Sequence, residues 1–157
     1  TGFMQVEVDL ETGKYEITDY IGVADCGTVL HPMGLAQQIK GGGVHGIGLA
    51  GYERHVYDPQ NGLPACVGLN QSKLPTILDV PSTMGAFAVD VADPMNPVGA
   101  RGIGEPVQGC AAAALLSAIS DALGGHYFNR VPIMPDMIVN AVNGRTQSHT
   151  PLQVNTY

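Results

Sequence analysis

Five glycines fall between positions 41 and 48, inside a segment whose small and apolar residues recur at spacings of three and four. Leu35, Ile39, Gly43, Gly46 and Ala50 keep that rhythm, which predicts a helix over residues 33–50. Each interior glycine costs a helix about 1 kcal/mol relative to alanine. A helix that carries so many of them needs a reason, and the physical reason is close approach. Backbone without side chains can touch another backbone or a flat ligand. Gln37, Gln38, Lys40 and His45 lie inside the segment, which excludes a membrane helix packed on its glycines.

The elements around this helix follow from periodicity and turn residues. Alternation over residues 4–10, a turn at 11–14 and a second strand at 15–24, more continuously apolar from Tyr20 on, predict a hairpin. Residues 52–57 and 63–67, about the turn at 58–62, predict a second one. Residues 72–82 carry Pro75 and Pro81 and are expected to form an extended loop, and residues 86–91 a further strand. Pro106 suits the first turn of a helix over 107–123, which Gly124 and Gly125 end. A last helix is expected at 136–142, followed by a polar, aperiodic arm at 143–157. The expected class is α+β, a mixed β-sheet with hairpins covered on one face by helices, with residues 1–142 as one domain portion.

Charge narrows the partners. Charged residues are 13% of the chain, about half the usual share of ~25%. So few charges imply that part of the surface is covered in a larger assembly. The net charge of −7, without a basic cluster, argues against nucleic acid or an anionic membrane as partner. The longest apolar stretch, residues 110–116, falls far short of the ~20 residues of a membrane span. No signal peptide is visible, and the start at Thr1, in what reads as a strand edge, suggests a processed or truncated product. Cys26, Cys66 and Cys110 are too few and too widely spaced for a zinc knuckle or an iron–sulfur loop. They read as buried thiols in a reducing compartment, hence a cytoplasmic protein. The five histidines show no ligand spacing, so no protein-ligated metal site is expected from this chain.

Chemistry concentrates at Glu105, at the entrance of the apolar helix and after a run of small residues. Backbone N–H groups at a helix N-terminus favour a carboxylate and would hold it ionised. A fixed, approachable carboxylate is what a general base requires. A capping glutamate is equally at home there, and the spacing alone leaves both readings open. The Gly-rich segment lacks the Lys-Ser or Lys-Thr ending of a phosphate loop. Taken by itself, it reads as tight helix packing before it reads as a ligand site. Gln37 and Gln38 could hydrogen-bond a heterocycle or face water.

Taken together, the motifs are more specific. The run Asp25-Cys26-Gly27, then His31-Pro32, then Gln38-Ile39-Lys40-Gly41-Gly42, then Gly46-Ile47-Gly48 resembles the molybdenum hydroxylase family of xanthine dehydrogenase and aldehyde oxidoreductase type. Gly99-Ala100-Arg101-Gly102-Ile103-Gly104-Glu105-Pro106 is similar to that family's active-site turn, and residues 132–142 to its closing helix. The likeness covers nearly the whole chain.

The resemblance implies a part of the C-terminal molybdopterin-binding domain. Glu105 is then the general base that takes a proton from the water-derived oxygen used to hydroxylate an aldehyde or an N-heterocycle. Gln38 hydrogen-bonds the pterin, Gly41 and Gly42 allow close approach, and Ile103 and Gly104 lie beside the metal. The implied cofactor is molybdopterin with molybdenum, in its cytosine dinucleotide form by likeness to bacterial relatives. Iron–sulfur (2Fe-2S) clusters and FAD are expected on partner domains or subunits. His45 stands where many relatives have Gln, and it matters only if it faces the cofactor instead of a helix interface. Val107 stands where many have a second Pro, with no consequence expected. The family's earlier Gly-rich loop and its substrate-clamping residues lie outside these 157 residues, which correspond to roughly the last fifth of a molybdenum-binding subunit. Two other readings remain beside this one: an assembly or cofactor-binding segment inactive without the rest of the subunit, and an unrelated Gly-rich nucleotide binder.

Overall fold

The alternating segment at the start of the chain forms β1 (Gly2–Val8), which pairs antiparallel with β2 (Tyr15–Asp25). The computed structural model describes residues 1–149. Gln5 pairs with Asp19 and Val6 with Ile17, so Thr18 is an extra residue, a β-bulge. The bulge resets the pleat, and Ile17 and Tyr20, three residues apart, are both buried. Strand β3 (Thr83–Val89) joins the other edge of β2 in parallel, giving the order β1-β2-β3. A parallel neighbour needs a crossover. The connection begins with the long helix α1 (Pro32–Gly51), followed by the short helix α2 (Leu69–Ser72) and a single 3-10 turn, Ile77–Asp79. The sheet is mixed, as the sequence implied.

Helix α1 and helix α3 (Pro106–Ala122) pack together over one face of the sheet, and α4 (Pro135–Val142) adds Met137 and Ile138 to the core they form. The main core joins Ile17, Ile47, Leu115, Ile119, Ile133 and Ile138. A smaller cluster of Ala24, Ile39 and Val107, flanked by Leu35, Ala86 and Ile103, lies toward the start of α1. On the other face of the sheet Phe3, Ile21 and Phe87 are 60%, 41% and 57% exposed, so the described residues cover one side only.

Two of the helix glycines have their reason in these contacts. A methyl group built on Gly46 would lie 2.4 Å from the carbonyl oxygen of Gln108 and 2.8 Å from the amide nitrogen of Ala112, both α3 backbone. One on Gly43 would lie 2.5 Å from the Tyr20 ring, which is fully buried beneath it. The Tyr20 hydroxyl has no hydrogen-bond partner among the described residues, and desolvation pushes its phenol above the ordinary value.

Three expectations change. The second hairpin is a loop closed by one isolated bridge, Tyr57 to Pro64, with Asp58 N–H donating to Leu63 O at 2.9 Å. Pro59 and Pro64 supply no N–H to a ladder there. The loop at 72–82 is more ordered than its prolines suggested, because Thr76 and Asp79 form a reciprocal capping box on the 3-10 turn. All three cysteines are free, but only Cys26 is buried. Of the expected arm, residues 150–157 lie outside the described residues. Among the described residues no helix is long and apolar enough to cross a membrane.

Candidate functional site

The N-terminal turn of α1 is set by His31, whose Nδ1 accepts a hydrogen bond from the Gly34 N–H at 2.7 Å. An accepting Nδ1 leaves Nε2 as the protonated nitrogen of the neutral ring. Pro32 follows at the first helical position, where its missing N–H costs nothing. From there the helix turns Ile39, Gly42, Gly43 and Gly46 inward. Gln38, Gly41 and His45 recur on its exposed side. His45 is therefore not at the α1/α3 interface. It shares the stripe of Gln38 and Gly41.

The second motif is held against the segment that leaves β2, just before this helix, by several independent contacts. Gly27 and Ala100 form an isolated antiparallel bridge, flanked by Thr28 N–H to Gly99 O at 2.7 Å and Arg101 N–H to Cys26 O at 2.7 Å. Gly27 (φ +64) leaves no room for a side chain, since a methyl there would lie 2.1 Å from Gly99 O. Asn96 donates from Nδ2 to Ala100 O at 2.9 Å and accepts from Gly99 N–H at 2.6 Å. Arg101 donates from Nε to Asp93 at 2.7 Å and from Nη1 to Asp25 at 2.6 Å. The Asp93 carboxyl is held below the usual carboxylate range, by the Met95 N–H first and the Arg101 guanidinium next. Ile103 packs into the small cluster at the start of α1.

The two motifs meet at Gly42. A methyl group there would lie 2.7 Å from Val107 Cγ2 and 3.4 Å from the carbonyl oxygen of Gly104. Val107, for which the sequence suggested no role, thus fills the space over Gly42. Glu105 occupies the N-cap position of α3 with φ −83 and ψ −30, and its side chain accepts no capping hydrogen bond. A capping side chain needs an extended backbone at that position. With helical dihedrals the carboxylate leaves the first turn and stands exposed. The expectation that helix N–H groups hold the carboxylate is corrected accordingly.

Gln38 and Ile103 line one cavity of ≈ 190 Å³, together with Cys26, His31, Leu35 and Arg101 among others. Gly41, Gly42, Gly104 and Glu105 do not line it. Among the described residues three larger cavities lie elsewhere: one of ≈ 490 Å³ between β1 and α3 at Met4 and Cys110, one of ≈ 490 Å³ around Glu53, His55 and Arg130, and one of ≈ 500 Å³ beside Glu7, Lys14 and Tyr15. None of the expected site residues, Gln38, Gly41, Gly42, Ile103, Gly104 and Glu105, lines any of the three. The cavity at Gln38 is smaller than the ~300–1,000 Å³ of ordinary small-molecule sites, as expected of one wall and not of a whole site. Sequence reading missed the capping role of His31 and the ion pairs of Arg101. Asp25 is 76 positions from Arg101, and no local spacing rule relates them.

A model of the molybdopterin cofactor-binding domain matches residues 1–81 of the 157. The chain is 34% identical over 142 residues to the gamma subunit of the 6-hydroxypseudooxynicotine dehydrogenase complex of Paenarthrobacter nicotinovorans, covering 90% of this chain and 18% of the relative. It superposes on quinoline 2-oxidoreductase from Pseudomonas putida 86 with TM-score 0.81 and 34% identity, over 90% of this chain and 18% of the other. For the aldehyde oxidoreductase of Desulfovibrio gigas the TM-score is 0.76 at 30% identity, over 88% and 15%. The chain thus spans less than a fifth of the length of these relatives. The ordered motifs, the fold they build and these likenesses agree, and the chain belongs to the molybdopterin cofactor-binding domain family of the molybdenum hydroxylases.

Proposed function

We propose that this chain forms one wall of the molybdopterin site in a molybdenum-dependent oxidoreductase, with Glu105 as the proton acceptor of the reaction. Gln38, Gly41, Ile103 and Gly104 line the cofactor in this reading, while Gly42, covered by Val107, lets the two segments approach each other. The observation that carries it is the meeting of the two motifs, with Gly42 against Gly104 and Val107. Residues 1–142 act as the domain portion in this reading.

The residues present fit such a group. A methyl group built on Gly41, Gly102 or Gly104 would have no neighbour within 4 Å. Packing among the described residues therefore does not demand glycine at these positions, whereas a ring system lying on bare backbone does. The exposed Gln38 amide offers a donor and an acceptor beside them. The cofactor, when bound, supplies the redox chemistry. The chain supplies close approach along Gly41 and Gly104, a hydrogen-bonding amide at Gln38, and a carboxylate at Glu105 that takes up the proton of the water-derived oxygen.

The substrate class in this reading is an aldehyde or an N-heterocycle, supported by relatives named for quinoline and for aldehydes. The cytosine dinucleotide form of the cofactor, with 2Fe-2S clusters and FAD on partner domains or subunits, completes it. Exposed apolar residues such as Ile77 (84%) and Leu78 (92%) support a surface covered by the remainder of the molybdenum subunit. The isolated chain, holding one wall, is expected to be inactive.

Gly41→Leu tests the reading without an activity assay. Its side chain points into open space, so the fold is expected to persist. Overpacking of a fitted contact costs about 1–3 kcal/mol, so pterin and molybdenum content of the assembled protein is expected to fall about tenfold or more. Normal content in a folded Gly41→Leu protein contradicts the placement.

A further inference from the structure

We infer that Arg101 is a positioning residue for Glu105, its guanidinium fixing the turn at residues 102–105 against the end of the sheet. The inference rests on the reading of Glu105 as proton acceptor. The turn has few anchors of its own, because side chains built on Gly102 or Gly104 would touch nothing within 4 Å. Downstream it is held where α3 begins, and in the middle by Ile103 in the small cluster. Upstream, Arg101 is the residue that ties it to two separate elements. Nε meets Asp93 in the loop after β3 at 2.7 Å, and Nη1 meets Asp25 at the end of β2 at 2.6 Å. The backbone N–H of the same residue donates to Cys26 O at 2.7 Å.

The pairs are partly open to water. Side-chain exposures are 46% for Arg101, 49% for Asp25 and 14% for Asp93. Ion pairs of that kind add little to global stability. Their geometry is another matter, since a planar guanidinium can address two carboxylates in fixed directions and a lysine ammonium cannot. One cation is shared by two anions, so Arg101 is not a free positive charge for a substrate or for Glu105. Its contribution is direction. Misplacement of a reacting group by about 1 Å can lower a rate by ~10²-fold.

The test uses the assembled enzyme and four variants: Arg101→Met, Arg101→Lys, Asp93→Asn and Glu105→Gln. Turnover is measured per bound molybdenum, with KM, alongside amide hydrogen exchange of residues 99–105. Arg101→Met is expected to lower kcat about tenfold to a hundredfold, with KM within about twofold, and to speed exchange across the turn. Arg101→Lys should recover part of kcat. Asp93→Asn, which keeps side-chain shape, should reproduce a smaller form of both effects even if Arg101→Met does not fold. Unchanged kcat per molybdenum in Arg101→Met or in Asp93→Asn, with Glu105→Gln inactive, overturns the positioning role alone. So does a loss confined to molybdenum content or to KM. Turnover retained in Glu105→Gln overturns the reading of the base and the positioning role with it.

Discussion

Glu105→Gln is expected to lower turnover of the assembled enzyme by ~10²-fold or more, the usual effect of losing an essential general base, while molybdenum content stays near normal. The structure makes this substitution a clean one. The Glu105 side chain caps nothing in α3, and glutamine has the same length and shape. Stability and the path of the turn should therefore be unchanged. A capping glutamate would behave in the opposite way, with a lower Tm and an intact rate. Retention of more than about a tenth of the activity contradicts the role assigned to Glu105, because no general base of this kind contributes so little.

Gly46→Ala is the largest expected effect on the fold. In an isolated helix the change stabilises by about 1 kcal/mol. Here the added methyl would stand 2.4 Å from Gln108 O, 2.6 Å from Ala111 Cβ and 2.8 Å from Ala112 N. Two of these are backbone atoms of α3, which cannot step aside as a side-chain tip can. Helices α1 and α3 must separate, at about 1–3 kcal/mol for an overpacked contact. A loss of 1 kcal/mol lowers Tm by roughly 2–4 °C in a domain of this size. Gly41→Ala is the matched control, with nothing within 4 Å of the new methyl. It should raise Tm slightly in cofactor-free protein. Equal Tm changes for the two variants would mean that close helix approach is not what Gly46 provides.

These two glycines show where sequence reading stopped. Their spacing announced a helix with a reason for bare backbone, and α1 spans Pro32–Gly51 against an expected 33–50. Spacing could not divide the glycines between the two possible reasons. The structure assigns Gly43 and Gly46 to packing on Tyr20 and α3, and leaves Gly41 without a neighbour among the described residues. Strand β1 was legible from alternation, but the bulge at Thr18 was not, because it depends on register with the neighbouring strand. The parallel pairing of β3 is likewise a long-range property. In the site, Gln38 and Glu105 were found by motif, and their elements do converge through Gly42 and Gly104. Arg101 was in plain view within the same motif, yet its partners Asp25 and Asp93 belong to other elements.

The central claim is that residues 38–42 and 102–105 form one continuous wall for the pterin and its metal. The position of molybdopterin in the structure of the assembled protein tests it most directly. The account predicts the pterin ring within about 3 Å of the Gln38 amide, lying along Gly41 and Gly104, with the Glu105 carboxylate facing the metal. A cofactor bound away from both segments, at the cavity beside Met4 and Cys110 or the one around Glu53 and Arg130, would contradict it.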